Sequence, residues 1–403
     1  MNFFLRSTAR LGLSSRRSTG RPGFRRPTTI RALQLINGEH YAGAERVQDN
    51  LALQLPVEGV ETAFVCVKPN QFESKRASRE TPLLNLPMRN RLDVRPAFRL
   101  AKLVEREDFD LIHTHTPRTA MIGSLAARIA GVPFVHHVHG HTATEVNAGW
   151  KQRLATKVEN RSLNRANYVI AVSPTVAQYL RSHGIAEQKV TVIPNGISGP
   201  GELPLKTPPS ANQTWTLGIV GLLRPRKGLE VLLRAIAKLR TDGCDVTLRA
   251  VGPFETEDYR QSVLQWTSEL GIAECVAWRG FQQDIAAELQ QMDLFVFPST
   301  LPEGMPMVLL EAMAWGVPII ASQVPGVVDC LRHEREAILV KPDDVDELAA
   351  GIHRLIDGQE SRSREGAPTW QELRFAARER QQAEFSIATM ASRVAKIYRN
   401  VLE

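Results

Sequence analysis

The sequence predicts an α/β protein made of two doubly wound parallel-sheet halves, and three observations carry that prediction. Short β-branched and apolar runs alternate with amphipathic stretches along most of the 403 residues. The first such run is followed by a glycine-bearing loop and then a helical pattern. Near the middle the composition changes abruptly and the alternation then starts again. Apolar strands alternating with helices indicate a parallel sheet covered on both faces, and strand, glycine loop, helix is how such a unit opens. At roughly 100–200 residues per domain the length allows two or three domains. The 43% hydrophobic and 23% charged content gives each half enough apolar material for a core.

In the first half, "IRALQLI" reads as a strand, "NGEHYAGAERV" as its loop and "ERVQDNLALQLP" as an amphipathic helix. "ETAFVCV" is the second strand. A polar loop precedes the helix "RPAFRLAKLVERED". "DLIHTHT", "PFVHHVHG", "YVIAVS" and "KVTVIPNG" complete the strands, with the helix "RTAMIGSLAARIAG" between the first two. The stretch "ISGPGELPLKTPPSANQT" has no apolar period and reads as a linker. In the second half the strands are "WTLGIVGLL", "VTLRAVGP", "VAWRGF", "DLFVFPS", "VPIIAS" and "AILVKP". The helices "KGLEVLLRAIAKLRTDG", "EDYRQSVLQWTSELG", "IAAELQQM", "MVLLEAMAWG" and "VDELAAGIHRLIDG" separate them. The expected organisation is a basic leader 1–29, a first domain 30–196, a linker 197–213, a second domain 214–372 and C-terminal helices 373–403 packing back toward the first domain. Two such halves imply a cleft between them. Ligands of open α/β sheets bind outside the carboxyl ends of the strands, so the cleft is the expected site.

Charge and cysteine narrow the function classes. The net charge of +7 is concentrated at the start, where residues 1–31 carry eight arginines and no acid. The rest of the chain is close to neutral and shows no basic stripe with interleaved aromatics, so no nucleic-acid partner is expected. The leader has the composition of an organellar transit peptide. It also fits a disordered basic leader on a bacterial protein, or a segment drawn to an anionic membrane at about 1 kcal/mol per basic residue. No run is long enough for a spanning helix. Cys66, Cys244, Cys275 and Cys330 are scattered, which fits free thiols better than a disulfide framework or a zinc site. The chain lacks G-x-x-x-x-G-K-[ST], G-x-S-x-G and, in the first loop, G-x-G-x-x-G. ATPase, serine hydrolase and dehydrogenase readings therefore lose their support.

The segment "LPEGMPMVLLEAMAWGVPIIAS" holds two acids at a strand–loop–helix junction. Glu303 falls in the loop and is expected to be exposed toward the cleft. The helix start behind it offers unpaired N–H groups and a positive dipole end, which receive phosphate. Glu311 falls within an apolar helix, where a carboxylate needs a partner. Ribose hydroxyls would supply one, and so would an arginine inside the fold. "HHVHGHT" offers His136, His137, His139 and His141. Alternation along a strand sends neighbours to opposite faces, Gly140 ends the run, and no cysteine is near, so no zinc site is assigned. His113 and His115 in "IHTHT" read as cleft-lining or satisfied core histidines. "DFD" at Asp108–Asp110 lies at the wrong end of its strand for a metal site and reads as capping. "DDVDE" at Asp343–Glu347 reads as a helix start.

The E-x7-E pair followed by "LLEAMAWGVPIIAS", together with "YAGAERV", "VIPNGI" and "GLLRPRKGLEVLLRA" in that order, resembles the retaining glycosyltransferases of family 4, which have the GT-B fold. The resemblance covers nearly all of residues 30–400. It implies a transferase that moves a hexose-type sugar from a UDP- or GDP-sugar to a glycan or lipid-linked acceptor, in polysaccharide or lipopolysaccharide synthesis at the cytoplasmic side of a membrane. It implies no metal and no cofactor beyond the nucleotide sugar. By position, Glu303 would bond the donor sugar's hydroxyls and Glu311 the ribose. The amides of Gly304, Met305, Pro306 and Met307 would cradle the diphosphate, with Met305 standing where many relatives carry an aromatic. Lys227 would clamp the diphosphate with Arg224 or Arg226, because Leu222 replaces the arginine many relatives have. His139, with His141 as second choice, would contact the sugar near the reacting carbon. Gly43 would let the first loop approach the ligand, although Ala42 stands where many relatives have another glycine. Base selection would lie near "WRGFQQD". Two alternatives differ in class. A nucleotide-sugar epimerase or hydrolase would turn over donor in buffer alone, and a non-catalytic binding module would hold donor without turnover.

Overall fold

A computed structural model describes residues 29–90, 93–140, 160–358 and 368–403. The basic leader up to residue 28 and His141 lie outside these. The chain forms two compact units. One takes everything up to Gly196 together with Ile387–Glu403, and the other takes Ile197–Ser386.

The first unit is built on β1 (Ile30–Ile36), β2 (Val60–Cys66), β3 (Leu83–Asn85), β4 (Leu111–Thr114), β5 (Phe134–Val138), β6 (Tyr168–Ala171) and β7 (Val190–Val192). They form one parallel sheet in the order β3-β2-β1-β4-β5-β6-β7. Every residue of β1 is buried, as a strand covered on both faces requires. Its helices are α1 (Gly43–Gln54), α2 (Gln71–Lys75), α3 (Arg95–Arg106), α4 (Pro117–Ala130) and α5 (Pro174–Ser182). Thr116 and Thr119 close a capping box on α4, and the Ser173 side chain caps α5. The stretch read as a polar loop after β2 contains α2 and β3. Both are too short to show a period, and α5 was hidden behind the strand "YVIAVS" for the same reason.

The second unit holds β8 (Trp215–Val220), α6 (Leu229–Thr241), β9 (Val246–Val251), α7 (Glu257–Glu269), β10 (Val276–Gly280), α8 (Ile285–Gln290), β11 (Leu294–Phe297), α9 (Met307–Ala314), β12 (Ile319–Ser322), β13 (Ala337–Val340), α10 (Val345–Asp357) and α11 (Trp370–Glu384). Its parallel sheet runs β10-β9-β8-β11-β12-β13. The order reverses between β8 and β11. Loops leaving neighbouring strands there diverge to opposite faces and open a crevice.

Two expected boundaries need correction. The stretch 197–213 belongs to the second unit. Gln381 Nε2 donates to Ile197 O at 2.9 Å, Arg374 donates to Lys206 O at 3.1 Å, and Arg378 donates to Pro200 O. These side chains satisfy the carbonyls of a segment that has no ladder of its own. The C-terminal helices also divide. Trp370 is fully buried and donates to Asp293 O at 2.9 Å, which ties α11 to the second unit. Only α12 (Ile387–Leu402) belongs to the first unit, where Tyr398 is fully buried.

Candidate functional site

The crevice of the second unit is made by the loops after β8 and β11, because those strands pair directly. Thr300 N donates to Arg226 O at 3.0 Å and stitches the two loops. Gly228 sits between them at φ +68°, where an added Cβ would lie 1.9 Å from Pro298 O. Only glycine meets both conditions.

Across this seam Lys227 Nζ donates to Glu303 Oε1 at 2.8 Å, and Ser299 Oγ donates to the same oxygen at 2.8 Å. Arg226 approaches Glu303 Oε2 at 3.4 Å and donates to Pro302 O at 2.6 Å. The Lys227 ammonium lies 4.7 Å from the Phe297 ring centre. Burial pushes the pKa of Lys227 below the usual lysine range, against the pull of Glu303's charge. Glu303 was expected to be exposed. Its side chain is only 11% exposed, because two cations and a hydroxyl draw it inward. The two candidate arginines differ in partner. Arg226 joins Glu303, whereas Arg224 turns to Glu255 at 3.4 Å.

Behind Glu303, Gly304 O and Glu303 O press on Gly326, which is held at φ +86°. Met305 and Met307 are buried at 5% and 8% exposure. Pro306 precedes α9 with no side-chain cap on the helix. It carries no N–H, so it sets the turn and contributes no donor to an anion cradle. Glu311 lies within α9 at 7% exposure. A cavity of about 450 Å³ opens at the carboxyl ends of β9 and β10, lined in part by Phe254, Glu255, Arg260 and Trp278. Leu223, in the β8 loop, bonds Pro253 O and is bonded by Glu255 N, so the cavity adjoins that loop.

In the first unit Gly43 begins α1, and a Cβ there would meet nothing within 4 Å. His139 follows β5 and shares a 3.0 Å hydrogen bond between its Nε2 and His115 Nδ1. His115 Nε2 reaches Gln34 Oε1 at 3.1 Å, Gln34 Nε2 donates to the Tyr398 hydroxyl at 2.9 Å, and that hydroxyl meets His113 Nδ1 at 2.6 Å. His136 faces the other way and meets Thr114 Oγ1 at 2.6 Å. Burial lowers the pKa of His136 and His139 to about 3. Sequence reasoning treated each strand alone, and so it missed that β4 and β5 bring His113, His115, His137 and His139 onto one face. It also missed Ser299, whose only signal was its place at a strand end, and Tyr398, 285 residues from its partner His113. Of the two acidic runs, Asp343–Glu347 caps a helix through Asp344, whereas Asp110 bonds the backbone of β1 and caps none. Asp110 accepts from Arg31 N at 2.7 Å, and Asp344 accepts from Glu347 N at 2.8 Å at the start of α10.

Both halves of the chain match family models. Residues 41–198 match Glycosyltransferase Family 4, and residues 214–358 match Glycosyl transferases group 1. Over 284 residues the chain is 27% identical to the UDP-Gal:α-D-GlcNAc-diphosphoundecaprenol α-1,3-galactosyltransferase of Escherichia coli, covering 66% of this chain and 71% of that protein. It is 26% identical over 288 residues to the capsular polysaccharide biosynthesis glycosyltransferase CapM of Staphylococcus aureus, covering 67% and 73%. Its fold matches that of Anabaena HepE, solved with UDP and glucose, at a TM-score of 0.77 and 23% identity over 92% of this chain and all of that one. Two parallel-sheet units, each matched in order, make this a GT-B protein, and the chain belongs to the family 4 glycosyltransferases.

Proposed function

We propose that this enzyme transfers a hexose-type sugar, with retention of configuration, from a UDP- or GDP-sugar to a glycan or lipid-linked acceptor in cell-surface polysaccharide synthesis. The observation that carries the reading is the Lys227–Glu303 pair, with Arg226 beside it, at the strand ends of the second unit. A departing nucleoside diphosphate gains negative charge as the sugar bond breaks. Fixed cations in a poorly hydrated seam stabilise that charge without reorganising. Lys227 and Arg226 are such cations, and Lys227 is 16% exposed. Glu303 keeps them in place and offers its second oxygen to sugar hydroxyls. The first-turn amides of α9 add donors, and Glu311 holds the ribose. His139 contacts the sugar near the reacting carbon. The acceptor hydroxyl attacks from the face the diphosphate leaves, and a departing phosphate oxygen takes its proton. No carboxylate nucleophile and no metal enters that step.

The E. coli and S. aureus relatives, by their names, act on a diphosphoundecaprenol-linked sugar and in capsule synthesis, which supports the acceptor class. No described helix is long and apolar enough to cross a membrane. We place the enzyme in the cytoplasm, with the arginine-rich leader meeting anionic lipid at the inner membrane face. Co-sedimentation with anionic vesicles, lost when residues 1–28 are removed, tests that contact. The main test is a panel of UDP-, GDP- and ADP-sugars with acceptor, scored by nucleotide release and repeated with Glu303→Ala. Release unchanged by that substitution defeats the site. Release that needs added Mg²⁺ or Mn²⁺ defeats the metal-free step.

A further inference from the structure

We propose that the buried face shared by β4 and β5 is a transition-metal site, best suited to zinc, whose ligands are His113, His115 and His137. The strands pair with Thr114 level with His136. Alternation therefore places His113, His115, His137 and His139 on one face, and the ring contacts agree. His113 and His137 have centroids 5.7 Å apart, His115 and His137 5.1 Å.

One ring nitrogen from each of the three lies within 4.8 Å of the others. A tetrahedral ion bonded at 2.0–2.1 Å would hold them about 3.3 Å apart, so binding requires the rings to turn inward. His113, His115 and His137 are 0%, 3% and 0% exposed. Both nitrogens of His137 and Nε2 of His113 have no hydrogen-bond partner among the described residues. A buried imidazole always has an N–H to satisfy, and leaving it unmet costs about 1–3 kcal/mol. Such a site calls for a polar occupant. Burial keeps all three rings neutral, which is the ligating form. An all-imidazole set suits zinc, copper, nickel or iron rather than magnesium or calcium.

Two ligands already have the outer partners that metal-bound histidines use to fix ring orientation. The Tyr398 hydroxyl holds Nδ1 of His113, and Gln34 Oε1 holds Nε2 of His115. This leaves His113 Nε2 and His115 Nδ1 for the ion. His115 would then exchange its hydrogen bond with His139 for the metal. That exchange would free His139, so the metal site touches the proposed sugar contact through this one hydrogen bond and through none of the second unit's residues.

The test uses tag-free full-length protein grown with zinc supplementation and purified without chelator. Elemental analysis should find about one zinc per chain, with imidazole back-scattering at the zinc absorption edge. Cobalt-grown protein should show visible d–d bands. His137→Leu should abolish the metal, while Cys66→Ser and His183→Ala keep it. Tyr398→Phe, which removes an outer partner and leaves all ligands, should weaken affinity about 10–100-fold. If folded wild-type protein carries no zinc and the cobalt-grown form has no d–d bands, the histidines meet only water and the site does not exist. Metal that survives in a folded His137→Leu variant overturns it equally.

Discussion

Lys227 Nζ stands 2.8 Å from Glu303 Oε1, so the loops that follow β8 and β11 share one poorly hydrated ion pair. Removing one partner of a fully buried pair costs about 3–5 kcal/mol, because the other charge is stranded. At 16% and 11% exposure this pair should cost somewhat less. The larger effect is expected on turnover. Lys227→Met and Glu303→Gln should each lower kcat/KM for nucleotide release by about 10²–10³. The double variant should be little worse than either single one, since both disable the same seam. Fully additive losses would show that the two residues act separately.

Glycine at 228 and glycine at 43 should answer differently to the same substitution. Gly228→Ala forces a side chain into the left-handed region and drives its Cβ to 1.9 Å from Pro298 O. It should cost about 2 kcal/mol or more and displace Lys227. Gly43 has ordinary backbone and open space around its Cβ position, so Gly43→Ala should leave stability within about 0.5 kcal/mol. Chemical denaturation reads both. A raised KM for donor in the stable Gly43→Ala protein would trace that glycine to ligand approach. Unchanged kinetics would remove it from the site.

The alternation of apolar strands and helices made the two sheets legible, because burial on both faces leaves strands such as "LFVF" and "AILV" wholly apolar. The seam of the second unit was legible in part. Lys227 and Glu303 stand in loops at strand ends, and topology alone brings such loops together. Their mutual pairing was not legible, since an ion pair depends on side-chain direction. For the same reason Glu303 was expected to face solvent. The linker misled because proline and glycine mark an absent ladder, while the arginines that satisfy its carbonyls lie about 170 residues away in α11. The histidine cluster needed the register of β4 against β5, and no single strand's pattern contains a register.

Tyr398 tests how α12 is tied to the first sheet. Its hydroxyl is the shared partner of Gln34 Nε2 and His113 Nδ1, both fully buried. Tyr398→Phe keeps the ring and strands both groups, at about 1–3 kcal/mol. The urea midpoint should fall with m unchanged. Gln34→Leu in the Tyr398→Phe background should cost less than Gln34→Leu alone, because the amide has already lost that bond. Equal costs in both backgrounds would show that the bond contributes nothing.

Cys330 can report on the loop behind Glu303. Burial pushes the Cys66 thiol up to about 11 and Cys330 up to about 12. Burial disfavours the charged thiolate, so a raised pKa means less of the reactive form at any pH below it. At pH 8 only about one Cys66 in a thousand and one Cys330 in ten thousand would be thiolate. Sγ of Cys66 donates to Asn37 O at 3.3 Å, and Sγ of Cys330 donates to Gly326 O at 3.2 Å. Iodoacetamide at pH 8 should therefore modify the partly exposed Cys244 and Cys275 first, and reach all four only in denaturant. Gly326 is packed against the Glu303 carbonyl. Any native labelling of Cys330 thus measures opening of the turn that holds Glu303. Donor nucleotide sugar should suppress that labelling and leave Cys66 unaffected. Mass spectrometry of the four peptides reads each site, and rapid native modification of Cys330 that donor does not slow would mean that the turn is not held by the ligand seam.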